Sequence, residues 1–233
     1  MNNPHAKVEG TGSELPARRR ASLPLRLGFW ASIVIALAAA LRRIVALVHP
    51  SQTAPPPMSS LDAAFASHTA LTLAHILPAI AFVLLTPLVL LRRSGAQWPE
   101  RLLFPLGAVV GITAYAMSSY SIGGWVERSA VLFFNSLFLF SLGRAYWYKH
   151  RGEPLQKRRW LSRAIGILLG IATTRPVMAI FFATSPLTHL EPRQFFGIAF
   201  WIGFSMNTIL VELGLRSRQR SSPPVTVAMH PAA

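Results

Sequence analysis

Six stretches of about 20 mostly apolar residues dominate this sequence, and that is the length a helix needs to cross roughly 30 Å of hydrocarbon. They run from about Leu27 to Val48, Ala63 to Leu91, Leu102 to Ser119, Ala130 to Trp147, Trp160 to Thr184 and Phe195 to Leu215. A backbone in lipid must satisfy its own N–H and C=O groups, so such stretches are expected as helices. Composition agrees. Hydrophobic residues make up 52% of the chain and charged residues 13%, against roughly a quarter charged in soluble proteins. Too few charges remain to cover a water-facing surface. The expected fold is all-α: a polytopic membrane protein with a six-transmembrane-helix bundle. Residues 1–22 are polar and basic, and residues 217–233 include Ser221-Ser222-Pro223-Pro224. Both read as disordered tails around a six-span membrane domain of residues 23–216.

Basic residues set the expected orientation. Lys7, Arg18, Arg19, Arg20 and Arg26 precede the first span, and Arg92, Arg93 and Arg101 lie between the second and third. Lys149, Arg151, Lys157, Arg158 and Arg159 join the fourth to the fifth, and Arg216, Arg218 and Arg220 follow the sixth. On the opposite side only Arg128 and Arg193 stand clear of the spans. The positive-inside rule therefore places both termini in the cytoplasm. The net charge of +15 is thus a topology signal. Spread over four short segments it makes no nucleic-acid surface, and membrane lipids are the expected partners. Trp98, Tyr146, Trp147, Tyr148 and Trp160 fall at the inner boundary and Tyr120 and Trp125 at the outer, where amphipathic rings settle. Arg18–Arg20 ahead of an apolar run with Ala38-Ala39-Ala40 imitates a cleavable export signal. The run continues to Val48, so an uncleaved first helix is expected.

Local signals refine the spans. Arg42 and Arg43 are expected to snorkel from the end of the first. Ser59 with Asp62, and Thr188 with Glu191, have capping-box spacing ahead of the second and sixth. Pro78 and Pro87 should kink the second, and Pro176 should disturb the fifth and free the carbonyl of Ala172. Gly107 with Gly111, and Gly166 with Gly170, let backbones approach closely, either within the bundle or in a homodimer.

Ionisable and polar residues inside a membrane are costly, so each is a functional hypothesis. At about 1.5 Å per residue, His75, Tyr115, Asn135, Arg175 and Trp201 lie about 18–24 Å from the inner ends of five different spans. They share one layer in the outer half of the bilayer. The layer holds a positive charge and no carboxylate, because Glu212 lies near the inner end, level with its expected ion-pair partner Arg163. Arg175 must then be satisfied by carbonyls, hydroxyls, water or an anionic ligand. The hypothesis is a polar, ligand-binding pocket around His75 and Arg175. The competing reading ties Arg175 to carbonyls released by Pro176.

Catalytic signatures are absent. The chain has no cysteine, which excludes thiolate chemistry and disulfides. It has no phosphate-binding glycine loop, H-E-x-x-H motif or nucleophile elbow. His68 and His75 are one pair of turns apart, but a b-type haem needs a second axial ligand from another helix. No other span carries an interior histidine. An outer metal site from His49, His68 and His189 with Asp62 or Glu191 lacks diagnostic spacing. No cofactor, metal or catalytic residue is therefore expected. The functional readings are a membrane protein binding a small or lipid-like molecule, a redox protein holding haem or quinone near His75, and a non-catalytic assembly partner.

Several motifs carry a family resemblance. They are His75-Ile76-Leu77-Pro78-Ala79 followed by Arg92-Arg93, the run Lys157-Arg158-Arg159-Trp160-Leu161-Ser162-Arg163-Ala164, then Thr174-Arg175-Pro176, and finally Trp201, Asn207 and Glu212-Leu213. Over roughly residues 65 to 216 the chain resembles the predicted bacterial membrane-protein family of domain of unknown function 2306. The resemblance implies a bacterial inner membrane and puts His75, Arg163, Arg175, Trp201 and Glu212 on motif positions. It also implies histidines before the Arg158-Arg159-Trp160 stretch and at the start of the third span. Gln156 and Lys157 stand at the first place, and Pro99, Glu100 and Arg101 at the second. Any haem or metal bound by those histidines in relatives is not expected here.

Overall fold

A computed structural model describes residues 23–49, 62–63, 65–91 and 98–220. Its helices are α1 (Leu23–Val48), α2 (Thr69–Leu91), α3 (Trp98–Ser118), α4 (Gly124–His150), α5 (Pro154–Leu168), α6 (Gly170–Thr188) and α7 (Pro192–Arg220). No strand occurs among the described residues. Since α5 and α6 form one span, 6 units are long and apolar enough to cross a membrane. The fold is the expected all-α, six-helix bundle. Most residues of the expected tails, the Pro55-Pro56-Pro57 loop, Ser59 and Arg92-Arg93 lie outside the described residues. At its C-terminal end α7 continues to Arg220, beyond the expected domain boundary.

Four local expectations are corrected. The second span does not run unbroken from Ala63. Asp62, Ala63, Phe65 and Ala66 are helical, a turn follows at Ser67 and His68, and α2 then begins. His68 is thus not on the α2 face that carries His75; its ring lies 3.7 Å from that of Tyr120. Asp62 is not simply a cap. Its carboxylate accepts from Arg42 at 3.2 Å and from Arg43, the charge-assisted pairing that a guanidinium favours, while the Ser59 end of the capping pair lies outside the described residues. These arginines are clasped rather than merely snorkelled.

The fifth span breaks at Leu169, not at Pro176. Leu169 has φ −67° and ψ −8°, and the Ala172 N–H bonds its carbonyl at 2.9 Å, a tightened turn. Glycine is the weakest ordinary helix former, and Gly166 and Gly170 flank the break, while Pro176 is accommodated inside α6. Asn207 on α7 donates from Nδ2 to the Gly166 carbonyl. Finally, the capping pair before α7 is Glu191 with Gln194. The Gln194 side-chain oxygen accepts from the Glu191 N–H at 3.0 Å, and Pro192 takes the first helical position, where its missing donor costs nothing. Thr188 instead donates back to the Thr184 carbonyl at 3.1 Å.

Neighbours follow a closed circuit: α1 packs on α2, α2 on α3, α3 on α4, α4 on α7, α7 on α6, and α6 back on α1. Glycines set the closest approaches, and they lie within the chain. A Cβ on Gly107 would stand 2.7 Å from Leu142, and one on Gly170 would stand 2.6 Å from Phe204. One on Gly166 would collide with Val211. The core packs Phe82, Leu103, Phe138 and Leu142 between α2, α3 and α4. Buried hydroxyls bond helix carbonyls, as Thr86 does to Phe82 at 3.0 Å and Thr174 to Ile171 at 2.6 Å. This is how a polar group is tolerated without water. α1 is the least embedded wall, burying only Ile33 and Ala36 among its described residues.

Candidate functional site

The circuit of helices surrounds a half-open cavity of about 270 Å³. Every helix contributes to its wall: Ala36 and Ala40 from α1, Ile76 and Val83 from α2, Val110 from α3, Phe138 from α4, Ile167 from α5, Ile171 from α6 and Phe204 from α7. The wall is predominantly apolar. Five polar residues reach it from four helices: His75, Ser118, Glu127, Asn135 and Arg175. Tyr120 and Ser121, in the α3–α4 loop, also line it.

His75 has a defined tautomer. Its Nδ1 lies 2.9 Å from Thr113 Oγ1. The Thr113 hydroxyl has one proton and gives it to the Val109 carbonyl at 2.7 Å, since a carbonyl can only accept. The hydroxyl is therefore the acceptor toward His75, and Nδ1 carries the hydrogen. Nε2, on the other edge of the ring, then carries no hydrogen and can only accept. Asn135 spends its amide donor on the Gly111 carbonyl at 2.9 Å, which ties α4 to the glycine face of α3.

Arg175 is different. Its Nε is buried and has no hydrogen-bond partner. Among the described residues no carboxylate pairs with it, and it is not bonded to the Ala172 carbonyl. The nearest compensation is electrostatic. Glu127 acts on Arg175 as an opposite charge, while Arg43 and Arg42 act on it as like charges. The guanidinium of Arg43 lies 4.0 Å from the centre of the Phe65 ring, and Phe65 itself lines the cavity.

Glu127 corrects the expectation that the layer holds no carboxylate. α4 starts at Gly124 rather than Ala130, so Glu127 falls in its first turn and is only 8% exposed. Its Oε2 accepts from the Gly123 N–H at 2.6 Å. The turn is buried because α7 crosses it closely: a Cβ on Gly197 would lie 2.6 Å from the Glu127 nitrogen. The signal was present in Gly123 and Gly197, small residues placed where two backbones meet, and in Gly124, whose φ of +61° opens the helix.

Of the five residues singled out by depth, His75, Asn135 and Arg175 line one cavity. Tyr115 and Trp201 do not. The Tyr115 hydroxyl lies 2.7 Å from Ser136 Oγ on an exposed side of α3 and α4. Trp201 stacks on Phe133 at 5.6 Å and donates to Ser129 at 3.3 Å. It backs the cavity wall by packing edge-on against Phe134. Arg163 and Glu212 form an ion pair, with Nε to Oε2 at 2.9 Å and NH2 to Oε1 at 3.2 Å. Residues missed by the depth argument are Thr113, Glu127, Phe65 and the Asp62 clasp.

No metal centre is formed by the described histidines and acids. Among the described residues His75 is the one histidine that lines the cavity, so two histidine ligands for a haem are not brought together there. The two places where histidines were implied by resemblance lie side by side. Lys157 Nζ bonds Glu100 at 2.8 and 3.0 Å there.

The fold and cavity define a multi-pass membrane protein with an internal, largely apolar chamber. Residues 72–215, more than half of the chain, match the family described as a predicted membrane protein (DUF2306). The chain belongs to that family. The match begins within α2, so α1 lies outside it. No curated protein and no solved structure matches the chain.

Proposed function

We propose that the protein binds a small amphipathic, lipid-like molecule in this chamber, without a bound metal or haem. The observation that carries the reading is the chamber itself: a largely apolar wall on which His75 from α2, Glu127 and Asn135 from α4 and Arg175 from α6 converge. A few placed polar groups in an apolar hollow are the usual make-up of a small-molecule site. The basic residues support an orientation with both termini in the cytoplasm. The α3–α4 loop end of the chamber then faces the outer leaflet, and the family resemblance supports a bacterial inner membrane.

A quinone is a second reading. It is favoured by His75 Nε2, which can accept a quinol hydroxyl, on the same cavity wall as a guanidinium able to donate to a carbonyl.

Native mass spectrometry and an absorption spectrum of the detergent-purified protein test these readings together. A retained small molecule, lost in Arg175→Ala with the fold intact, is the expected result. A retained mass with a quinone spectrum selects the second reading. A ligand-free, colourless protein that co-purifies with another membrane protein would replace both with an assembly role.

A further inference from the structure

We infer that the head of the bound molecule is an anion, of the carboxylate class on a single chain, held by Arg175. This rests on the chamber being a binding site. Three guanidiniums influence the site near Arg175: its own and those of Arg42 and Arg43. Two carboxylates answer them, and both are engaged. Asp62 holds Arg42 and Arg43, while Glu127 accepts from the Gly123 amide. One positive charge is left over, on a guanidinium that does not deprotonate in proteins. Its Nε is buried and points at no acceptor. A cation held in an apolar surrounding without a paired anion is strongly disfavoured, and an oxyanion presented to the guanidinium fork relieves it.

The rest of the chamber fixes the body of the ligand. From Arg175 the wall continues over Ile171, Ile76, Val83, Phe138 and Phe204, which offer no hydrogen bond. A hollow of about 270 Å³ with such a wall suits the body of one short acyl chain. His75 Nε2, which can only accept, does not compete for the anion.

The test uses the full chain in nanodiscs of neutral lipid, with tritiated decanoate and tritiated decanol measured separately for saturable binding. Decanoate is expected to bind at least about tenfold more tightly, a difference of about 1.4 kcal/mol. Arg175→Gln should abolish the preference and Arg175→Lys should keep most of it. Equal binding of acid and alcohol, or a preference that survives Arg175→Gln, overturns the anionic head but leaves the chamber as a site. Saturable binding of neither probe overturns the chamber reading as well. Displacement of decanoate by an equal concentration of acetate would show a site for small free anions and overturn the chain-bearing ligand. If Arg175→Gln fails to fold, the Lys variant decides: loss of the preference in a folded Arg175→Lys protein counts against the guanidinium contact.

Discussion

Glu127 and Arg175 face one chamber from α4 and α6 without joining in an ion pair, and the Glu127 carboxylate accepts instead from the Gly123 amide at 2.6 Å. The acid is thus a brace for the α3–α4 loop. A glutamine can still offer an oxygen to that amide, so Glu127→Gln should unfold within about 1 kcal/mol of the parent. Glu127→Ala strands a buried donor and should cost about 1–3 kcal/mol. Thermal unfolding in detergent, followed by helical circular dichroism, separates the two variants. Equal losses in both would show that charge rather than the hydrogen bond matters.

Thr113 should control the ring state of His75. In the parent protein, ¹⁵N spectra of labelled histidine should show hydrogen on Nδ1 and none on Nε2 for this residue. Thr113→Val removes one acceptor and leaves the Val110 carbonyl as the remaining partner of the ring, which should cost about 1 kcal/mol and let the other tautomer appear. An unchanged spectrum in that variant would refute the assignment.

Glycine contacts predict opposite outcomes at two helical positions. Gly166→Ala drives a methyl group into Val211 and should destabilise by about 1–3 kcal/mol. Gly143 on α4 has nothing within 4 Å of a new Cβ, so Gly143→Ala should stabilise by about 0.5–1 kcal/mol. Unfolding midpoints of both variants check the pair.

Orientation can be read with introduced cysteines, since the chain has none. Trp125 is 71% exposed near the α3–α4 loop and Leu155 is 75% exposed at the start of α5. A membrane-impermeant maleimide should label Trp125→Cys in intact cells and Leu155→Cys only after permeabilisation. The reverse pattern would invert the assigned sides.

The bundle was legible because lipid leaves a chain so few options: length and apolarity alone locate the spans. The site was half legible, and Thr113 and Tyr115 show why. Depth along a helix follows from counting residues, but facing also needs the angle around the axis. Two residues differ by about 200°. Depth favoured Tyr115, while the angle turned it toward Ser136 and put Thr113 beside His75. Glu127 escaped for another reason. Hydropathy started the fourth span at Ala130, whereas the crossing of Gly197 over the first turn of α4 buries the acid. Such a crossing joins residues far apart in sequence, and no local pattern reports it. The break at Leu169 was obscured in the same way, because the partner that tolerates it, Asn207, lies on another helix.

The glycine contacts also divide the chamber mechanically. Where α7 lies against α5, α6 and the start of α4, backbone and side chain already touch, and nothing between them is left to compress. α1 has no such seam; it faces the hollow with the small side chains of Ala36 and Ala40. A guest slightly too wide must therefore be accommodated by displacing α1, which makes one wall the anvil and the opposite wall the spring.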